Sequence, residues 1–218
     1  FYGKEQPLSL NVGYTFDNGN KLSADFSRIK EENQQNSKTV TNRVINMGPK
    51  MGLVPQESTA YGNVSNNNKR TDYALTYSGN DDKHDWMLRT YKSVYDKDYT
   101  SSTDTYKKLF MMGKWRDQEH EAPSIKHDTV KRTLSVIEGK DTISLSDKHK
   151  MTAGFEYRQD KSEGTRLKKK STPLPGAGNN VHDAYDEAEI NYLAAYVQDE
   201  FKPDAKWLII PSVRYDHS

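Results

Sequence analysis

Residues 193–216 read "LAAYVQDEFKPDAKWLIIPSVRYD", two runs of alternating apolar and polar side chains joined by a Pro-Asp turn signal. A strand turns successive side chains to opposite faces, so positions i, i+2 and i+4 share one face. In the first run Leu193, Ala195, Val197 and Phe201 fall together, with Tyr192, Ala194, Tyr196, Gln198 and Glu200 opposite them. In the second, Trp207, Ile209, Val213 and Tyr215 oppose Ser212, Arg214 and Asp216. The stretch therefore reads as an antiparallel hairpin with one apolar face and one wet face. Pro211 is a mild discord, because proline removes a ladder donor and belongs at an edge or a bulge.

The same pattern recurs upstream. Compact turn signals stand at 17–20 ("DNGN"), 79–82 ("GNDD"), 146–149 ("SDKH") and 203–206 ("PDAK"), each with the Asn, Asp, Gly or Pro chemistry of a short hairpin connection. They predict paired runs at 8–16 with 21–29, 71–78 with 84–95, 131–145 with 150–160, and 190–202 with 206–216, about eight strands in four hairpins. In the first hairpin Leu8, Leu10, Val12, Tyr14 and Phe16 share a face against Ser9, Asn11, Gly13 and Thr15, and Leu22, Ala24 and Phe26 continue it. Met151, Ala153, Phe155 and Tyr157 oppose Thr152, Gly154, Glu156 and Arg158 in the third.

Between hairpins the connections are of another kind. Residues 30–70, 96–130 and 161–189 are polar, rich in Asn, Ser, Lys and Asp, and far longer than the few residues that usually link elements of a compact domain. Alternation alone suits any half-buried antiparallel sheet, soluble ones included. Combined with strictly alternating short and long connections and with aromatic strand ends, it predicts an all-β fold: an antiparallel transmembrane β-barrel segment with short periplasmic turns and long extracellular loops.

Composition agrees. Only 33% of the 218 residues are hydrophobic and 29% are charged, lean for a conventional core, yet fourteen Tyr, six Phe and three Trp are too many for a solvated coil. A net charge of +1 gives no global field that would draw nucleic acid. The absence of Cys excludes disulfides, thiolate metal sites and a Cys nucleophile. No stretch approaches the roughly 18 apolar residues of a membrane-spanning helix. "FYGKEQPLSL" lacks the charged and apolar regions of a signal peptide, so the reading expects an internal piece of a longer chain, one partial barrel domain over residues 1–218.

"YLAAYVQDEFKPDAKWLIIPSVRYDH" at 192–217 resembles, in order and spacing, a barrel hairpin of TonB-dependent outer-membrane receptors: an aromatic-small-aromatic run into Gln-Asp-Glu, a short turn, an apolar strand, then Arg-Tyr-Asp. "LSDKHKMTAGFEYRQD" at 145–160 is similar to a preceding hairpin of such receptors, and "LSLNVGYTFDNGNKLSADFSRIKEEN" at 8–33 to an earlier one. The resemblance implies a parent barrel of about 22 strands around a plug, placed in the cell outer membrane. It implies import of a scarce ligand such as a ferric siderophore, haem or cobalamin, driven by the inner-membrane TonB complex through a motif ahead of the plug. It implies outer-membrane lipid and lipopolysaccharide as surroundings, no nucleic-acid partner, no catalysis and no resident cofactor, the ligand being a ferric siderophore or haem.

Two groups of residues invite a binding role. Arg166, Lys168, Lys169 and Lys170, beside "PLPGAG" in the third long connection, would attract an anionic ferric chelate at a receptor mouth. Tyr61, Tyr99, Tyr106 and Tyr185 would stack on a catechol or porphyrin. "EHEAPSIKH" at 119–127 offers His120 and His127 with Glu119 and Glu121, residue types that ligate haem iron or a transition metal, but at a spacing that fits no standard site. Arg89, Arg158, Arg214, Glu156 and Glu200 lie on the wet face and are expected to form ion pairs across the barrel wall or with the plug of the parent chain, a structural role. No Ser-His-Asp order, phosphate loop or paired catalytic carboxylates is present, so an enzyme reading has no residues to stand on. Import of an iron chelate is thus the expected function of the parent. The alternatives are haem or haemoglobin capture through the loop histidines, and a small eight-stranded barrel acting as an adhesin or structural protein.

Overall fold

The computed structural model describes residues 2–117, 121–170 and 179–218, and the side chains of these except 121, 122, 170 and 179–186. The described residues form one antiparallel meander: β1 (Tyr2–Thr15), β2 (Lys21–Asn46), β3 (Leu53–Asn80), β4 (His84–Met111), β5 (Lys114–Asp117), β6 (Glu121–Ser146), β7 (His149–Lys170), β8 (Asn179–Phe201) and β9 (Ser212–His217). The order is β1-β2-β3-β4-β6-β7-β8-β9, with the short β5 folded back on the end of β4. Among the described residues β1 and β9 each pair on one side only, so the sheet is open.

The expected turns are where the sequence places them. Phe16 N–H donates to Asn20 O at 2.8 Å, with Gly19 at φ 82°, a backbone region that costs glycine nothing. Asp81 Oδ1 accepts from the backbone N–H groups of Lys83 and His84, both at 2.8 Å, and closes the second turn. These N–H donors hold the Asp81 carboxyl below its usual range.

Registers run unbroken along most ladders and assemble the strand faces into rows. Val12, Ala24, Leu75 and Thr90 are partners in sequence across β1 to β4, and Ile137, Tyr157 and Leu193 continue the row into β6, β7 and β8. On this outer face Leu10, Val12, Leu75, Leu88, Val197 and Val213 are 46–77% exposed. Tyr14, Phe16, Tyr77 and Trp86 follow edge to face at the short-turn end, with centroids 4.9, 6.1 and 4.9 Å apart. An apolar band ending in an aromatic girdle results. Along β1 and its first turn residue it runs from Leu8 to Phe16, about 27 Å of chain and about 21 Å of depth at a tilt of ~40°, close to the ~25 Å band of a membrane barrel. The four buried apolar residues Val54, Leu109, Val136 and Ala194 all have the opposite parity, so what core exists is on the inner face.

Two expectations are corrected. Over their described residues the segments 30–70, 96–130 and 161–189 are mostly paired strand and not irregular loops: β2 and β3 stay paired from Lys21↔Ser78 up to Asn46↔Leu53, leaving only 47–52 as a turn. β4 continues to Met111, turns at Met112 and Gly113 (φ 52° and 74°) and returns as β5, which makes a ninth strand. The physical reason is the backbone: a long structureless connection would leave its N–H and C=O groups to water, whereas Thr39, Val40, Thr41 and Val44 favour the extended chain and the ladder satisfies it.

The other correction is the last strand, expected at 206–216 and observed only from Ser212. Phe201 and Ile209 exchange both backbone bonds at 2.8 and 2.9 Å, and Asp199 N–H donates to Pro211 O at 3.0 Å. The reciprocal bond from position 211 has no donor, because proline has no N–H. Pro211 thus breaks the ladder without shifting its register.

Candidate functional site

Inside the apolar band, the inner face is a chain of polar contacts. Asn11 donates to Asp25, and Ser27 Oγ and Arg70 Nε donate to the two Asp72 oxygens at 3.1 and 3.0 Å. Arg89 pairs with Glu138 at 3.6 Å, Arg158 with Glu156 at 4.0 Å, and Arg214 with Asp216 at 2.8 Å. Tyr192 links the last two: the Arg158 guanidinium lies 4.6 Å from its ring centroid, Arg214 donates to its hydroxyl at 3.0 Å, and that hydroxyl donates to Asp216. Of the pairs expected across the wall, Arg89–Glu138 joins two strands, whereas Arg158–Glu156 and Arg214–Asp216 each lie within a single strand and Glu200 makes no pair among the described residues. Apart from Asp25, which accepts from Asn11, and Glu200, the charged side chains named here on this face are paired with one another.

Above the band, the same face changes character. One row of register partners runs Asn33, Asn66, Tyr99, Asp128, Arg166 across β2, β3, β4, β6 and β7, and the row above it holds Ser101, Lys126 and Lys168. The Lys97 and Lys126 ammonium groups lie 5.7 and 5.3 Å from the Tyr99 ring centroid, which their positive charge and the ring's negative face both favour. Asp128 accepts Lys126 at 2.7 Å and Arg166 at 3.1 Å. Its burial works to raise the carboxyl's pKa, but the two cationic hydrogen bonds outweigh it and hold the group ionised below its usual range. Four cations, Lys97, Lys126, Arg166 and Lys168, therefore surround one carboxylate and one aromatic ring. Beside them Asn66 Oδ1 is buried and accepts no hydrogen bond. The cluster thus carries an excess of positive charge beside one aromatic ring.

The period of two splits the basic run read from the sequence. Arg166 and Lys168 share the inner face with Lys126, while Lys169, opposite Ile125, has the outer parity. The Lys170 backbone pairs with Ser124 on the inner parity, and its side chain lies outside the described residues. Tyr106 packs edge to face on Tyr61, centroids 5.7 Å apart, on the outer parity away from the basic cluster. The Tyr185 backbone pairs with Gly164 at a register shift, its side chain likewise outside the described residues. His127 also has the outer parity, where its Nε2 hydrogen-bonds Asp98 Oδ1 at 2.8 Å. His120 and Glu119 lie outside the described residues, and among the described ones no group of three His, Asp or Glu side chains is arranged for a metal. Lys97 and Lys126 are the members that sequence reasoning missed. Nothing local marks them, since their relation to Tyr99 and Arg166 is created by cross-strand register.

A wet inner wall, a lipid-wide apolar band, an aromatic girdle and tall ribbons at one end define a segment of an outer-membrane β-barrel. The family model for the TonB dependent receptor-like β-barrel matches residues 7–218, and the chain belongs to that family. Its place is therefore the outer membrane, with the short turns periplasmic and the ribbons extracellular. Solved structures similar to it include the ferric yersiniabactin uptake receptor FyuA from Yersinia pestis, 9% identical over 89% of this chain and 37% of that one, with a TM-score of 0.35. Another is the outer membrane transporter YddB from Escherichia coli, 11% identical over 99% of this chain and 34% of that one, with a TM-score of 0.28. The chain spans about a third of the length of either. No curated protein matches its sequence.

Proposed function

We propose that the chain is part of a receptor that imports an iron chelate of the ferric siderophore class, and that the inner-face cluster around Tyr99 is an outer station for that anion. The observation that carries this reading is the convergence of Lys97 and Lys126 on the Tyr99 ring, next to Arg166 and on the face that lines the barrel. Cations in a walled mouth concentrate an anion because the low-dielectric walls focus their field, and a half-buried aromatic ring can stack on a catechol. The chelate's iron is cargo, and the side chains named here contact its ligand shell, not the metal. In this reading the parent chain also supplies the plug and the contact with the inner-membrane TonB complex, and no step is catalytic.

The test uses the full-length receptor in detergent and the quenching of its tryptophan fluorescence by an anionic ferric catecholate and by a neutral ferric hydroxamate. Replacing Lys126 and Lys168 by Gln together is expected to weaken catecholate binding at least tenfold and to flatten its salt dependence. A double variant that binds the catecholate like the parent would remove the cluster from ligand capture.

A further inference from the structure

Tyr61 and Tyr106 face away from the basic cluster, on the outer side of the extracellular ribbon. Tyr61 stands opposite Lys38 and Asp104, Thr59 opposite Tyr106, and Lys108 opposite Glu57 and Asp117, so the two rings and three successive rows of polar residues share that side. Each ring is 46% exposed, and the Lys38 ammonium lies 5.7 Å from the Tyr61 centroid. Among these side chains opens a hollow of about 690 Å³. Three carboxylates and three lysines line it, with Thr59 and the two tyrosines; among the described residues no aliphatic, Phe, Trp or Met residue does. From Tyr73, at the upper end of the apolar band, to Tyr61 is about 40 Å of β3 and about 30 Å of height at a tilt of ~40°, out of reach of lipid head groups.

We infer that this hollow is a binding site for a neutral oligosaccharide, held on the outside of the receptor and not imported. Charge is the first reason. Equal numbers of carboxylates and lysines give the hollow no preference for a charged guest, whereas on the inner face of the same ribbons four cations surround one carboxylate. Hydrogen bonding is the second. Carboxylates only accept and ammonium groups only donate, and a sugar hydroxyl does both, so one guest satisfies both kinds of lining group. The walls are the third. Without an aliphatic, Phe, Trp or Met residue the hollow has no seat for the apolar anchor on which a protein partner depends. A tyrosine ring, by contrast, offers its negative face to the polarised C–H groups of a sugar. The volume also falls within the range of roughly 300–1,000 Å³ usual for small-molecule sites. Because the hollow lies on the opposite side of the ribbon from Tyr99, it does not depend on which ligand is imported.

The experiment is saturation-transfer NMR on the full-length receptor, in a detergent without a sugar head group. Maltotriose, cellotriose and triacetylchitotriose are the neutral probes, and trigalacturonate and deacetylated chitotriose the charged ones. A neutral trisaccharide is expected to bind about tenfold more tightly than either charged one, with transfer strongest at the C–H protons of one sugar face. The Y61A/Y106A variant, its fold checked by the mobility of the folded barrel on gels, is expected to weaken that binding about tenfold. Failure of all three neutral probes to bind the unaltered receptor would overturn the assignment without recourse to any variant. So would a charged trisaccharide that binds as tightly as the neutral ones, or a folded double variant that binds the neutral sugar unchanged.

Discussion

Gly154 on β7 and Tyr196 on β8 are register partners on the inner face, and the tyrosine ring lies directly over the glycine. A Cβ at position 154 would stand 2.5 Å from Tyr196 Cζ and 2.6 Å from both Cε1 and the hydroxyl oxygen, distances no real Cβ sustains. Gly154→Ala therefore displaces the ring. Forcing an extra methyl into a packed position costs about 1–3 kcal/mol, and the smaller unfolded-state entropy of alanine returns about 0.4–1 kcal/mol. The expected net loss is about 1–2 kcal/mol. Two other glycines calibrate it. At Gly13 the nearest atom to a new Cβ is Leu22 O at 4.0 Å, so Gly13→Ala is expected to be neutral or slightly stabilising. At Gly139 the obstacle is the Phe155 ring at 2.6 Å, but Phe155 is 44% exposed on the outer face and can swing toward lipid, which places Gly139→Ala between the other two. Urea unfolding of the full receptor in detergent, followed by the mobility difference between folded and unfolded barrel on gels, measures all three. If Gly154→Ala proves as stable as Gly13→Ala, the Tyr196 ring does not rest on the glycine and the inner face is not packed at this point.

Three further outcomes follow from the same structure. Leu75 sits within the apolar band, so Leu75→Arg is expected to cost about 2–4 kcal/mol in bilayers and little for Val40→Arg on the extracellular ribbon, compared by folding yield into lipid vesicles. Asp81 has its carboxyl lowered by two backbone N–H donors, so its contribution is fully present above the ordinary carboxyl value of about 3.9 and fades as pH falls through the lower folded value; the stability gap between the parent and Asp81→Asn should be constant near neutrality and shrink only in acid, and a gap that grows in acid would reverse the sign. His127 is held by Asp98 on the outer face, so an absorption titration with haem is expected to give the same spectrum for the parent and for His127→Ala.

What the sequence determined by itself was the assignment of faces. Covalent geometry fixes the side-chain period at two, so Leu193, Ala195 and Val197 had to part from Tyr192, Ala194 and Tyr196 wherever the strand lay. The turns at Gly19 and Asp81 were equally legible, because only a few residue types bend a chain that sharply. The ribbons were not. Above the membrane both faces meet water, so residues such as Lys38, Thr39, Val40 and Thr41 carry no apolar alternation, and their β-branched content was the only signal. Tertiary structure alone decided which residues became neighbours. Lys97, Tyr99, Lys126 and Arg166 come from three strands and meet because hydrogen-bond registers align them, and Lys169 leaves that cluster because one residue along a strand reverses the face. Register is set by the pairing of whole strands, and no local stretch of sequence contains it.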